Sequence, residues 1–405
     1  MAGRSTGYSG RGLATPRPGV LSGRSRSLLT RAFARNSALR HMDWLLIGVV
    51  TGLSGLGILL VWSATEPSLR AAGDDPRTYL KKQLLWVVIG LILMFAVSLT
   101  DTRQLKAWTP VFYGVTLLAL LAVLTPVGSD VNGAKAWINL PGGFQVEPSE
   151  FAKVALIVMT AMIFSGARDG RPGLRRVLLA LAGAVPLIGL VVIEPALGVA
   201  MVLVVVTATM IVLSGIRLRL LAALAGLVAV AVAAAGGLHL LKSYQLTRFT
   251  SFLHPAADLS GAGYNAAQAK IAVGSGGMFG QGLFHGQLVA GNYVPSQQTD
   301  FIFTVAGEEL GFVGCIVIVF LLGVVIVRAL RIAARADDLF GLLAASGIAM
   351  WFAFQSFVNI GMTIGIMPIT GIPLPFISYG GSAIFADMIA VGLLQSVHRR
   401  RHVFD

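Results

Sequence analysis

The sequence predicts an all-α polytopic membrane protein with about ten transmembrane helices, because it is rich in apolar runs and poor in charge. Of its 405 residues, 56% are hydrophobic and only 12% are charged, against about 25% charged residues in an ordinary soluble domain. Apolar runs of roughly 20 residues, long enough to cross a bilayer core, recur along the chain. They lack the alternation of apolar and polar residues that membrane β-strands show, so helices are predicted.

The first segment, residues 1–41, is predicted to be a disordered basic tail in the cytoplasm. Residues 1–40 contain eight arginines and no acidic residue, with many Gly, Ser and Pro, a composition that cannot bury enough apolar surface to fold. The segment is too long and too rich in arginine for a secretory signal. The first apolar run is therefore expected to remain as an uncleaved span.

A single transmembrane domain, 42–398, is predicted to hold ten spans, and a short cytoplasmic tail, 399–405, follows it. An even number of spans places both ends of the chain on the same side of the membrane. The predicted spans are 44–63, 84–100, 109–127, 149–166, 177–194, 196–215, 220–241, 303–327, 339–366 and 379–397.

The positions of lysine and arginine predict the orientation. With the N-terminus inside, 22 of the 31 Lys and Arg residues fall in cytoplasmic segments, as the positive-inside rule requires. The first outer loop, with Arg70, Arg77, Lys81 and Lys82, is a local exception. Basic residues scattered between spans do not form the continuous face that nucleic acid needs, so nucleic acid is excluded as a partner.

One long loop, 242–301, precedes the eighth span and is predicted to lie on the outer side. Its glycines, among them Gly276, Gly280 and Gly282, interrupt an apolar stretch, which indicates re-entrant or interfacial backbone passing close to another group. Long loops in compact proteins usually carry function. The outer side is therefore where we expect the site.

Charged side chains at membrane depth cost about 2.5–3.5 kcal/mol each, so the few present are functional candidates. Glu150 and Lys153 are three residues apart at the start of the fourth span and share a helix face, where their charges can neutralise each other. Glu147, followed by Pro148, also fits a helix start, which leaves a capping role open. The other candidates are Glu194 between spans five and six, Glu308 and Glu309, expected to pair with Arg248 or Lys153, and Asp387.

Asp300 lies where the long outer loop meets the eighth span. It follows a glycine-rich segment and precedes Phe301-Ile302-Phe303, so a general base at this boundary would be within reach of a substrate hydroxyl. An aspartate that only caps the helix would look the same in sequence. Both interpretations are open at this point.

The segment Tyr379-Gly380-Gly381-Ser382 precedes the last span and follows several prolines. Irregular backbone at a helix start presents N–H groups that can hold a phosphate. A tight turn that needs glycine for clearance is the alternative. Arg248, in the long loop, is a candidate partner for a pyrophosphate.

These segments together resemble the SEDS family of wall-building proteins, the group that contains RodA, FtsW and SpoVE. The resemblance covers nearly the whole membrane region. Its strongest stretches are GYNAAQAKIAVGSGGMFGQGL from Gly263, TDFIFTVAGEELGFVG from Thr299, and NIGMTIGIMPITGIPLPFISYGGS from Asn359. The wording at 371–375 is closer to RodA than to FtsW.

The resemblance implies a peptidoglycan glycosyltransferase that joins lipid II units at the outer face of the bacterial cytoplasmic membrane. It also implies a class B penicillin-binding protein as partner and a role in cell elongation or division. In that family the aspartate of the T-D-F-I-F motif is catalytic and corresponds to Asp300. The glutamate and lysine of the P-S-E-F-A-K motif correspond to Glu150 and Lys153.

The expected reaction inverts the donor's anomeric carbon. Asp300 would deprotonate the acceptor hydroxyl, and undecaprenyl pyrophosphate would leave. Lys153, Arg248 or a divalent cation, Mg²⁺ or Mn²⁺, would stabilise the leaving charge, and no other cofactor is expected.

Five positions depart from the family pattern: Ala136 replaces an arginine, Glu147 and Glu194 replace glutamines, Ala196 replaces an aspartate and Ser296 replaces a glutamate. Glu194 and Ala196 together suggest a carboxylate relocated by two residues. Two alternatives therefore stay open: a lipid II transporter, and a non-catalytic scaffold for a penicillin-binding protein.

Overall fold

The computed structural model describes residues 41–401, apart from 132–133, 141–143, 167–171, 218, 221, 224–225 and 227–260. The predicted N-terminal tail, most of the predicted seventh span, Arg248 and the end of the C-terminal tail lie outside the described residues.

Eleven helices form most of the described chain. They are α1 (Trp44–Ala72), α2 (Thr78–Leu99), α3 (Thr102–Leu124), α4 (Pro148–Ser165), α5 (Leu174–Ile193), α6 (Leu197–Leu213), α7 (Ala262–Ser275), α8 (Gln287–Ala290), α9 (Ile302–Ala334), α10 (Leu339–Ile364) and α11 (Gly381–Arg401).

The all-α polytopic prediction is confirmed. Eight of these helices are long and apolar enough to cross a membrane, namely α1 to α5 and α9 to α11, and they match eight of the ten predicted spans. The 17-residue α6 matches the sixth. The largest difference in bounds is at α1, which ends at Ala72 rather than 63. Helix α3 begins at Thr102 rather than 109, because the Asp101 side chain accepts a hydrogen bond from the Arg103 N–H and caps the helix.

Three helices form the centre of the bundle. Within the most apolar 18 residues of each helix, 72% are buried in α4 and in α10 and 83% in α11, against 22% in α3 and in α9. The outer helices expose apolar side chains along their length, as helices that face lipid do. Polar side chains on the central helices are therefore enclosed by protein.

A small antiparallel sheet precedes α4, in the order β1 (Gly128–Val131), β2 (Ala134–Leu140) and β3 (Phe144–Val146). Ile138 pairs with Gly128 on one side and with Val146 on the other. The segment lies between the third and fourth predicted spans, and its strands are too short, and lack the clean alternation of apolar and polar residues, to be predicted from sequence. The sheet delivers the chain to the start of α4.

Contacts between helix ends define two ends of the bundle. At the first end, Asp338 caps α10, and its carboxylate binds Lys106 Nζ at 2.8 Å and Arg400 at 2.9 Å. Asp43 at the start of α1 binds Arg328 near the end of α9, with 2.7 Å between Nε and Oδ2. The starts of α1, α3 and α10 therefore meet the ends of α9 and α11 at this end of the bundle, as expected when successive spans run in opposite directions.

The second end contains the start of α9, which is broken at Gly311 (φ 67°, ψ −167°). The glycine-rich segment 276–282 lies against this break. The Phe312 N–H donates to the Gly277 carbonyl, and the Gln281 N–H donates to the Glu308 carbonyl, at 2.9 and 3.0 Å. Backbone groups freed by the kink are thus satisfied by the loop, as a membrane-embedded kink requires.

Candidate active site

Asp300 directly precedes α9, and its backbone is held from two sides. The Asn359 side-chain amide, on α10, donates to the carbonyls of Asp300 at 2.8 Å and Ile372 at 2.7 Å. The Ser378 hydroxyl donates to the Thr299 carbonyl at 2.6 Å. The aspartate is therefore fixed to both α10 and the proline-rich segment 366–380.

The Asp300 carboxylate is partly buried and lies beside Gly371. Gly371 has φ +71°, and a Cβ atom there would approach Asp300 Oδ2 to 3.4 Å. Glycine adopts this left-handed conformation without strain. Phe301 occupies the N-cap position of α9, so Asp300 lies one residue before that position.

Glu150 and Lys153 form the predicted pair on one face of α4. Lys153 Nζ lies 2.8 Å from Glu150 Oε2, and both side chains are only 1% exposed. The ammonium also donates to Gln355 Oε1 at 2.9 Å and lies 4.6 Å from the centre of the Trp351 ring. A buried ion pair with this many partners is fully satisfied.

Gln355 connects that pair to the segment beside Asp300. Its amide nitrogen donates to the Pro373 carbonyl at 2.7 Å, while its oxygen accepts from Lys153 and from Trp351 Nε1. Gln355 and Asn359 are four residues apart, so they share a face of α10. One face of α10 therefore binds both the Lys153 ammonium and the backbone of Asp300.

Glu147 occupies the N-cap position of α4, with Pro148 as the first helical residue, as the helix-start interpretation predicted, but its side chain makes no capping hydrogen bond to that helix. Its carboxylate accepts a 2.7 Å hydrogen bond from Ser149, and its backbone N–H donates to the Ser382 hydroxyl at 2.9 Å. Burial and the charge of Glu150 raise the pKa of Glu147 to about 7, and Asp300 contributes in the same direction. Glu147, Glu150 and Asp300 thus act on one another electrostatically.

Glu194 lies in the turn between α5 and α6, close to this group. It is 1% exposed. Burial first, and the charge of Glu147 second, raise the pKa of Glu194 to about 8. Gly198, at the start of α6, packs against Thr370 and Ile372, so this turn lies against the same segment that contacts Asp300.

The segment 379–382 packs tightly. The Tyr379 ring lies 4.7 Å from Trp86 and 4.8 Å from Tyr79, and Gly381 leaves room for the Trp86 ring, which a Cβ there would approach to 3.1 Å. These contacts favour the tight-turn interpretation of Gly381. Phosphate binding by Gly380 and its neighbours stays a prediction.

Glu308 and Glu309 bind backbone amides. Glu308 accepts hydrogen bonds from the N–H groups of Leu288 and Val289 at 2.7 and 3.0 Å. Glu309 accepts from the Ser63 hydroxyl and the Phe284 N–H. The predicted pairing with Lys153 is wrong, because the ammonium of Lys153 is bound by Glu150 and Gln355. These carboxylates anchor the segment 284–289 to α9.

The sequence analysis missed the amide side chains of the site, Gln355 and Asn359, and with them the indole of Trp351. A signal was present, since these three side chains recur every four residues within an apolar run. Polar side chains at helical spacing in a membrane span usually face other helices.

Within the described parts of the chain, no three His, Cys, Asp or Glu side chains are grouped to hold a metal ion. A divalent cation therefore stays a prediction.

Comparisons with known proteins identify the family. The family model of FtsW, RodA and SpoVE, described as cell cycle protein, matches residues 43–403. The chain is 37% identical over 367 residues to the probable peptidoglycan glycosyltransferase FtsW of Trichlorobacter lovleyi, covering 89% of this chain and 93% of that protein. It is 37% identical to the stage V sporulation protein E of Bacillus subtilis, covering 88% and 97%.

A solved structure agrees. A chain from a structure on the coordination of polymerization and crosslinking by a peptidoglycan synthase complex superposes with a TM-score of 0.73 at 31% identity, covering 89% of this chain and 98% of that one. This protein is a multi-pass membrane protein, and its fold is that of the chain from the peptidoglycan synthase complex. It belongs to the FtsW/RodA/SpoVE family. The particular resemblance to the RodA branch stays a prediction.

Proposed function

We propose that this protein is a peptidoglycan glycosyltransferase that polymerises lipid II at the outer face of the bacterial cytoplasmic membrane, together with a class B penicillin-binding protein. Its relatives in the same family are named as peptidoglycan glycosyltransferases, and a similar solved chain comes from a peptidoglycan synthase complex. The distribution of lysine and arginine supports the outer face as the working side.

Asp300 is the base in this proposal. It removes the proton from the acceptor sugar hydroxyl, whose oxygen attacks the anomeric carbon of the donor. The bond from that carbon to the pyrophosphate oxygen breaks, the configuration inverts, and undecaprenyl pyrophosphate leaves with the electron pair. Undecaprenyl pyrophosphate leaves as an anion at neutral pH, so its departure needs a nearby positive charge and no protonating acid.

The observation that carries the proposal is the support of Asp300 from both sides. Asn359 and Ser378 hold the backbone at residues 299–300, and Gly371 leaves room for the carboxylate. A base whose position is fixed before substrate arrives loses little ordering entropy in the reaction. The partial exposure of the side chain keeps it within reach of a ligand.

Lys153 acts on this site through its neighbours. Its ammonium is enclosed by Glu150, Gln355 and Trp351, which favours a role in placing Gln355 and the Pro373 carbonyl. Of the three sources of positive charge that the sequence suggested for the pyrophosphate, Lys153, Arg248 and a divalent cation, this enclosure disfavours Lys153 and leaves the other two.

The test is polymerisation of fluorescent lipid II by the purified protein with its cognate penicillin-binding protein. We expect Asp300→Asn to lower the rate by at least about 10²-fold, the usual contribution of a general base. The substitution keeps the shape of the side chain, so folding should be unchanged. Asp74→Asn, an exposed acid in the turn between α1 and α2, is the matched control and should polymerise normally.

A folded Asp300→Asn variant with wild-type activity would remove this mechanism. Movement of labelled lipid II between leaflets without glycan product would favour the transporter alternative. Partner binding with neither product nor movement would favour the scaffold.

A further inference from the structure

Glu194 differs from the other acidic residues of the site because its carboxylate has no hydrogen-bond partner in the part of the chain that the structure describes. Both oxygens are buried, and neither has a hydrogen-bond partner within the described residues. Glu150, by contrast, binds an ammonium, and Glu147 accepts from Ser149. A carboxylate buried without a cation or donor is strongly disfavoured relative to the neutral acid.

The charged groups around Glu194 are mostly acidic. Glu147 approaches from the start of α4 and opposes ionisation of Glu194 directly. Behind it lie Asp300, beside Gly371, and the neutralised Glu150–Lys153 pair. The described helices α6 and α10 contribute no charged residue. No cation in the described chain therefore favours the ionised form of Glu194.

We propose that Glu194 works as a neutral carboxylic acid, and that its ionisation beside Glu147 limits polymerisation at high pH. The proposal rests on the proposed function. The site must admit a pyrophosphate anion while Asp300 is itself negative. A further negative charge at Glu194 would add to the repulsion of that anion, so substrate binding would weaken. Glu194 is thus a positioning residue that acts through the field of the site without touching the substrate.

The sequence of the turn agrees with this role, because Glu194-Pro195-Ala196 contains no other ionisable side chain. A neutral Glu194 therefore leaves the turn without charge, whereas an ionised one places a negative charge at a buried position.

The test compares the pH dependence of kcat/KM for the wild type and Glu194→Gln. We expect the wild-type value to fall about tenfold between pH 7 and pH 9, mainly through KM, as a group with a pKa of about 8 ionises. The Glu194→Gln variant should lose less than about twofold over that range. Glu66→Gln is the matched control, since Glu66 lies in the last two turns of α1 and is paired with Arg70. The pH profile of this variant should follow that of the wild type.

A second readout does not depend on activity. Because the folded chain keeps a proton that the unfolded chain releases above its ordinary pKa of about 4.5, the unfolding temperature of the wild type should fall relative to Glu194→Gln from about pH 5 to pH 8. Above pH 8 the difference should be constant, since both states are then ionised.

Superimposable activity profiles, or a folded Glu194→Gln variant that is inactive at every pH, would overturn the proposal. If no variant polymerises lipid II, the failure belongs to the proposed function. The stability profiles then decide on the neutral acid: a relative fall from pH 5 to 8 supports it, and parallel profiles overturn it.

Discussion

Lys153 is a cation whose ammonium group is enclosed at the centre of a membrane bundle. We expect Lys153→Met to destabilise the protein by about 3–5 kcal/mol, because Glu150 is left as an unpaired buried charge. The double variant Lys153→Met, Glu150→Gln removes both charges and should recover most of that loss. Thermal unfolding in detergent measures both variants.

Polymerisation by the double variant separates structure from function at this pair. If the pair positions Gln355, and through it the Pro373 carbonyl, the recovered stability should come with activity at least about tenfold below wild type, a loss of roughly 1.4 kcal/mol in the transition state. Wild-type activity in the double variant would show that the pair serves stability alone.

The sequence predicted this pair and missed its neighbours for a physical reason. Glu150 and Lys153 are three residues apart on one helix, so their contact follows from local geometry. The bonds of Gln355 and Asn359 reach segments that only tertiary packing brings near. The partners of Glu308 were mispredicted for the same reason, since the amides of Leu288 and Val289 belong to the short helix α8, about 20 residues earlier in the chain.

The start of α6 lacks a side-chain cap. Ala196 occupies the N-cap position and offers no side-chain acceptor, at φ −85° and ψ 62°. Asp43, with a similar backbone at φ −78° and ψ 86°, caps α1 by accepting from the Leu46 N–H. We expect Ala196→Asp to cap α6 and to raise the free energy of unfolding by about 1 kcal/mol.

Unfolding in detergent at pH 7 measures this change, and Ala196→Asn is the uncharged control. Asparagine caps about as well as aspartate. If asparagine stabilises and aspartate does not, the negative charge is opposed by its acidic neighbours. If neither stabilises, the side chain does not reach the helix amides and the predicted cap is wrong.

Among the elements of the fold, the membrane helices could be predicted from the sequence, whereas the irregular segments could not. Long apolar runs identified nine helices that the structure confirms, because a membrane leaves the backbone few other choices. The sheet before α4 and the break at Gly311 depend on contacts between distant segments. The glycines at 276–282 signalled a close approach, but the sequence does not name α9 as the element approached.

The whole molecule has two chemically distinct ends. Asp338, Lys106 and Arg400 form an ion cluster at one end, while Asp300, Glu147 and Glu194 lie toward the other. The predicted orientation places the acidic end outside the cell and the arginine-rich end in the cytoplasm.

Cysteine labelling in intact spheroplasts tests this orientation. In a Cys315→Ser background, we expect Tyr293→Cys, at a side chain 50% exposed, to react with a membrane-impermeant thiol reagent. Asp337→Cys, exposed at the opposite end, should react only after the membrane is permeabilised. The reverse pattern would place Asp300 on the cytoplasmic side and contradict the proposed function.

Asn359 connects α10 directly to the backbone of the proposed base. Its amide is bonded to the carbonyls of Asp300 and Ile372, while Phe357, two residues away, is 53% exposed on the outer surface of the bundle. A displacement of α10 would therefore shift the backbone at residues 300 and 372 together. Pressure on Phe357 from the surrounding bilayer would, by this path, reach both sides of the proposed base without any contact with the substrate.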